Sequence, residues 1–459
     1  MKRIAFFCIP AHGHTNPMLP VAAELVKRGN RVRFYSFREF EARIKATGAE
    51  FIPCDSFLPE LTAQEASGLR NVSATEMTIQ DIRITLGMND FLEEEFRTFC
   101  PDVVYTDSVC FWGKLNAWKH HVPMVVSTST FAFNQLSSTY MKNSPKELAG
   151  LILGLPKVSK ELNRLKSHGY QFKGLFSLIQ SDNHTDSVVY TSKHFQPYSE
   201  SFSGHYLFAG PSVRSDHKPE KAEKPLVYVS MGTVINDRPD FYSKCIEAMR
   251  GENVDLLISC GNAVDIASLG RLPENVKVFP YVDQLEVLSR ASVFITHCGM
   301  NSVSESLYME TPMVLYPQTN EQAAVARRTT EIGAGMLLKD DSVQGIRKAV
   351  RDLIQNESYA KAARECAADF RSCPGPAGAA DFVTNAPHES SGEDFMKKMT
   401  KANVLAQVGY NLASILLALL LFRLISPSFI WIYVLLAILL SFPFKNWAQE
   451  ASFKRLIRK

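Results

Sequence analysis

A chain of 459 residues is too long for one ordinary domain and long enough for two, each with its own core. The 50 Lys and Arg against 47 Asp and Glu leave a net charge of +3, and no basic patch is interleaved with aromatics, which excludes a charge-driven nucleic-acid binder. The 9 cysteines form no CxxC pair or regular spacing, which excludes a disulfide framework and a cysteine zinc site and fits a reducing compartment.

From the N-terminus, Ile4 to Ile9 predicts a buried strand, and Pro10-Ala11-His12-Gly13-His14-Thr15-Asn16-Pro17 the loop after it. Asn16 is suited to cap a helix and Pro17 to its first position, while Leu19, Ala22, Leu25 and Val26 give that helix a buried face and Gly29 ends it. Val32, Phe34 and Ser36 continue as a strand, so the unit is βαβ and the sheet parallel. Lys2 and Arg3 before an apolar run invite a signal-peptide reading, but that run is short and meets proline and two histidines where a cleavage site needs small residues.

His14 stands at the C-terminal end of a strand, where a near-neutral imidazole can take a proton from a hydroxyl; a histidine merely bonded in a turn is the competing reading. A His12/His14 metal site would need further ligands that the sequence does not place. Pro101 to Ser108 predicts a strand with Asp102 at its start and Asp107 at its end, followed by a helix and by the strand Met124 to Ser127. Asp107 either holds an imidazole's second nitrogen or caps the next helix.

Val188 to Thr191 and Tyr206 to Ala209 close a first unit, 1–211, and 212–224 has the Pro, Lys, Glu and Asp of a linker. A second unit, 225–384, opens with the strand Leu226 to Ser230 and the small-residue turn Met231-Gly232-Thr233; Asp255 to Cys260 and Val276 to Phe279 supply more strands. After the loop bearing Tyr281 and Gln284, Val293-Phe294-Ile295 runs into His297-Cys298-Gly299-Met300-Asn301-Ser302, with Glu305 and Tyr308 at helical spacing beyond. That is strand, tight turn, helix. The first amides of such a helix lack partners and carry partial positive charge, so an anion can dock on backbone. Gly299 permits close approach, His297, Asn301 and Ser302 add donors, and Glu305 can accept from sugar hydroxyls. Met313 to Tyr316 is the next strand, with Pro317 to Gln322 at its carboxyl end, where ligands of open α/β sheets sit.

The run His297 to Leu307, then Thr311-Pro312-Met313 and Pro317-Gln318-Thr319-Asn320-Glu321-Gln322, closely resembles the donor signature of UDP-dependent glycosyltransferases, and the bacterial macrolide-type branch looks nearest. The resemblance implies the GT-B architecture: two Rossmann-like α/β domains with parallel sheets facing a cleft, and inverting chemistry. It implies an N-terminal domain that binds the acceptor, with Phe57, Met77, Met88, Phe131 and Tyr140 as apolar surface for a pocket or simply for the core. By the same resemblance His14 is the base and Asp107 its orienting carboxylate. Ser230 and Thr233 face the phosphates, Tyr281 stands where relatives carry a base-stacking tryptophan, and Gln284 lies at the base edge. His297, Gly299, Asn301, Ser302 and Glu305 hold the diphosphate and ribose, and Glu321 with Gln322 reads the hexose, glucose by default. No metal and no cofactor beyond the UDP-sugar donor substrate is implied, since backbone amides and His297 take the cation's place. The last helix of such proteins returns to the first domain.

The tail departs from a soluble enzyme. After a polar stretch, 385–402, Val404 to Phe422 is an apolar run, Ser426-Pro427-Ser428 a turn, and Phe429 to Phe444 a second run, each near the roughly 20 residues that span a bilayer. Lys397, Lys398 and Lys401 precede the pair and Lys445, Lys454, Arg455, Arg458 and Lys459 follow it, so both flanks are expected on the cytoplasmic side. Segment 403–459 therefore predicts a membrane hairpin, with two helices lying in the headgroup plane as the other reading. The expected reaction is hexose transfer from a UDP-sugar to a hydroxyl of a lipophilic small molecule or lipid. A glycolipid synthase, a nucleotide-sugar epimerase or hydrolase on the same frame, and a non-catalytic lipid-binding protein are the alternatives.

Overall fold

Strands with apolar runs at their centres set the architecture. In the computed structural model, which describes residues 1–58, 74–134, 136–141, 145–172, 174–179, 184–213, 217–233 and 236–388, β1 (Arg3–Phe7) lies inside a seven-stranded sheet. Its order is β3-β2-β1-β4-β5-β6-β7, with β2 (Arg31–Ser36), β3 (Glu50–Pro53), β4 (Val103–Asp107), β5 (Met124–Thr128), β6 (Asp186–Val189) and β7 (Tyr206–Phe208). A six-stranded sheet, β10-β9-β8-β11-β12-β13, follows from β8 (Leu226–Ser230), β9 (Asp255–Ser259), β10 (Val276–Phe279), β11 (Val293–Thr296), β12 (Met313–Leu315) and β13 (Gly335–Leu337). All pairings are parallel. Strands covered by helices on both faces read as continuous apolar runs, as Ile4 to Phe7 and Val293 to Ile295 do. In each sheet the winding reverses beside the first strand, between β1 and β4 and between β8 and β11, which opens a crevice at their carboxyl ends.

The first helix, α1 (His12–Lys27), corrects the predicted start at Asn16 and Pro17. Ala11 is its N-cap, no side chain caps it, and Pro17 and Pro20 lie within. Burial of Thr15, Pro17, Met18, Val21 and Leu25 on the sheet outweighs local capping preference. Pro17, lacking an N–H, leaves the carbonyl of Gly13 without its usual donor one turn later.

The linker is not loose. Within 217–224, Glu220 N donates to Ser289 O at 2.9 Å and Ala222 N to Arg290 O at 3.1 Å. Lys221, open to solvent along its stem, lays its ammonium against protein and donates to Leu288 O, Met309 O and Thr311 Oγ1 at 3.2, 2.8 and 2.7 Å. At the far end, helix Gly375–Thr384 leaves the second domain: Ala379, Ala380 and Val383 join the core of the first, and Arg28 pairs with Asp381 at 2.5 Å. The return and outward crossings touch, since Gly375 N donates to Ala209 O at 2.8 Å. The halves also share apolar contacts, with Phe131 and Phe195 packed in one cluster with Phe294, Val325 and Phe370. Of the predicted pocket surface, Met88 and Phe131 are fully buried core.

Among the described residues no helix is long and apolar enough to cross a membrane. The predicted hairpin 403–459, and all of 385–402 beyond His388, lie outside the described residues.

Candidate active site

The first half of the site grows from the β1/β4 switch. Phe7 is paired with Thr106, so α1's first turn rises directly beside Asp107, the last residue of β4. His14 Nδ1 lies 2.7 Å from Asp107 Oδ2 and 3.1 Å from Ser129 Oγ, just past β5. A carboxylate can only accept, so Nδ1 carries the proton and Nε2 keeps its lone pair. Asp107 is fully buried, and its Oδ1 also accepts from Val109 N at 2.9 Å, so it serves the following turn and the imidazole at once.

Three carboxyls act on His14 from three directions. Burial lowers the imidazole's pKa, but Asp107, and after it Glu321 and Asp81, more than offset this, so it sits above the ordinary value. Asp81 belongs to helix Ala74–Gly87; burial pushes its carboxyl up to about 8, with Asp107 adding to the rise and His14 opposing it. Glu321 comes from the second domain. Water reaches its side chain, yet protein crowds it, and that desolvation raises its pKa against the opposing charge of His14.

The second half forms at the β8/β11 switch, where Ser230 pairs with Thr296. The His297 imidazole is held between two glycines: a Cβ on Gly232 or on Gly299 would lie 2.6 Å from its ring. Gly232 has φ +80, and Cys298, at φ 69, takes the same left-handed backbone without being glycine. Burial drives His297 down to about 4, so it is a neutral donor at physiological pH. Its Nδ1 is buried and makes no well-formed hydrogen bond among the described residues, the Ser230 backbone only opposing the fall in pKa. Helix Met300–Tyr308 starts at Gly299, and no side chain caps it, so its first amides keep their capacity for an anion.

Gln284 links three site residues: its Nε2 donates to Glu305 Oε2 at 2.5 Å and to Ser302 Oγ at 3.3 Å, while its Oε1 accepts from Tyr228 OH at 3.2 Å. Burial lifts Glu305 to about 7, the Gln284 bond opposing and Asp283 adding. Tyr281 stands 65% exposed on the loop after β10, and Thr233 is exposed beyond β8. Gln322 turns back on its own loop, its Oε1 accepting from Gln318 N at 2.7 Å. His12 stays apart from the His14 pair, bound to Glu39 at 2.7 Å.

The two halves meet. Asn301 Nδ2 donates to Gly13 O at 3.2 Å, so the turn bearing His14 and the first turn of helix Met300–Tyr308 touch across the cleft. Ser129, Asp81 and the closing of Gly232 on the His297 ring were not singled out from sequence, whereas Gly299 was. A polar residue just past the strand Met124 to Thr128 is the signal that could have found Ser129; the acid between Thr78 and Ile82 carries none.

Residues 253–385 match the family described as "Erythromycin biosynthesis protein CIII-like, C-terminal domain". The "Uncharacterized UDP-glucosyltransferase YojK" of Bacillus subtilis is 30% identical over 399 residues, covering 84% of this chain and 98% of the relative. The "NDP-glycosyltransferase YjiC" of Bacillus licheniformis is 32% identical over 395 residues, covering 83% and 97%. Among solved structures, the glycosyltransferase of kitacinnamycin superposes with a TM-score of 0.70 at 26% identity, over 83% of this chain and 98% of that one.

Proposed function

The chain belongs to the UDP-glycosyltransferase family of GT-B fold, and from that premise we propose that it is an inverting hexosyltransferase with His14 as its base. The observation that carries this is the 2.7 Å contact between His14 Nδ1 and buried Asp107, one residue from the point where Asn301 crosses to Gly13. Nε2 takes the acceptor hydroxyl's proton as that oxygen bonds to the anomeric carbon of the sugar, and the anomeric bond to the diphosphate breaks on the opposite face. The unfilled amides of helix Met300–Tyr308 and the neutral His297 receive the charge that develops on UDP. An α-linked donor then gives a β-linked product. Tyr281 offers a π-face to the base, Gln284, Ser302 and Glu305 address the ribose side, and Glu321 faces both the hexose and the base. The name of the Bacillus subtilis relative favours glucose as donor sugar, and that of the kitacinnamycin enzyme favours a small molecule as acceptor.

His14→Ala is expected to abolish transfer from UDP-glucose while calorimetry shows UDP binding intact; His297→Ala should weaken UDP binding. Full transfer by His14→Ala would remove the assigned base. We place 403–459 at the cytoplasmic face of a membrane, on its two apolar runs and flanking basic residues. Sedimentation with membranes that survives a salt wash but is lost on truncation after His388 tests this; a full-length chain that stays in the supernatant would refute it.

A further inference from the structure

Two helices present unfilled N-termini to the cleft, and a single side chain joins them. α1 begins at His12 without a side-chain cap, helix Met300–Tyr308 begins at Met300 likewise, and Asn301 Nδ2 donates to Gly13 O at 3.2 Å between them. That carbonyl is open for a sequence reason. In an α-helix the acceptor at Gly13 is served by the amide of residue 17, and residue 17 is proline. Burial of Pro17 and Met18 against the sheet keeps the helix running through the missing bond instead of breaking it. The gap therefore lies on the turn that carries His14, and the other domain's amide fills it.

We propose that Asn301 is a positioning residue for the base: through the carbonyl that Pro17 leaves free, it sets the distance between His14 and the diphosphate end of the donor. A side-chain amide has two N–H groups. One reaches Gly13; the other remains for a phosphate oxygen at the helix N-terminus, so one side chain measures base against leaving group. Two like helix ends brought together repel, and an anion between them relieves that repulsion. Asn301 thereby faces the donor and the base's turn at once, and Pro17 acts on catalysis without touching either substrate. This rests on the reading of His14 as base.

The test compares the parent with Pro17→Ala, Asn301→Ala, the double variant and His14→Ala, using UDP-glucose and a simple phenol. Pro17→Ala restores an amide that draws the Gly13 carbonyl back along the helix. Its kcat should fall about three- to tenfold, the range of one hydrogen bond, with calorimetric UDP affinity within twofold of the parent. Asn301→Ala should lose kcat and UDP affinity together. The double variant should lose no more kcat than the worse single variant, because both act on one bond. Parent-like kcat in Pro17→Ala, or losses that multiply, would overturn the proposal. Should Pro17→Ala fail to bind UDP, Asn301→Gln against Asn301→Leu decides: rescue of kcat by the amide alone supports it, and equal loss overturns it. A His14→Ala enzyme that still transfers sugar refutes the base itself, a result separate from additivity between Pro17 and Asn301.

Discussion

The His297 imidazole shows how one residue acquires its chemistry from small neighbours. Gly232 and Gly299 close on the ring, and the desolvation there keeps it neutral down to a pKa of about 4. The unfolded chain binds that proton near the ordinary 6.5, so stability is whole above 6.5 and is lost as pH falls through 4, at a cost on the order of 3 kcal/mol. Urea unfolding at pH 7, 5.5 and 4.5 should show the parent weakening steadily, and His297→Gln weakening less over the same interval. His14 behaves oppositely, its carboxylate partners holding it above the ordinary value. The two histidines thus divide the work by environment: one is kept basic by Asp107, the other neutral by desolvation.

Secondary-structure elements owe their placement to interactions that a linear pattern shows unevenly. The helix Met300–Tyr308 is tied at its carboxyl end by Lys221, whose ammonium meets Met309 O and Thr311 Oγ1 and whose pKa burial lowers to about 8 against the pull of Glu310. A cation there complements the helix dipole that leaves the other end fit for phosphate. Lys221→Met should destabilise the second domain by about 1 to 3 kcal/mol, from carbonyls left unpaired, and a lower thermal midpoint relieved by saturating UDP would register it.

The strands were legible because burial on both faces leaves uninterrupted apolar runs, and so were His14, Asp107 and the His297 loop, which sit at strand ends. The start of α1 was not, because the apolar face that holds Thr15 to Val21 outweighed a cap signal at Asn16. Asp81 was equally hidden: nothing in a solitary acid on a helix says that the fold will turn it toward the charges of Asp107 and His14.

Across the whole molecule, the two chain crossings between halves lie side by side. Gly210 has φ +80, a Cβ there would come within 2.5 Å of Cys373 Cβ, and Gly375 N bonds Ala209 O at 2.8 Å. Phe195 joins the halves beside the same crossings: its ring packs on Phe370 at 5.8 Å between centroids, and its carbonyl accepts from Arg328 Nε at 3.0 Å, so relative rotation of the halves is expected to centre there. Gly210→Ala should slow turnover more than it weakens UDP binding, and a comparison of kcat with calorimetric affinity reads this directly.

The way the chain leaves the first domain has a mechanical consequence. His388 N donates to Asp186 Oδ2 at 2.9 Å, and Asp186 Oδ1 lies 2.6 Å from the Nδ1 of buried His205, so everything beyond departs from a riveted corner of β6. Any pull from the tail is borne first by the half that holds His14, and reaches the second half only through the contacts at Asn301, Phe195 and the paired crossings.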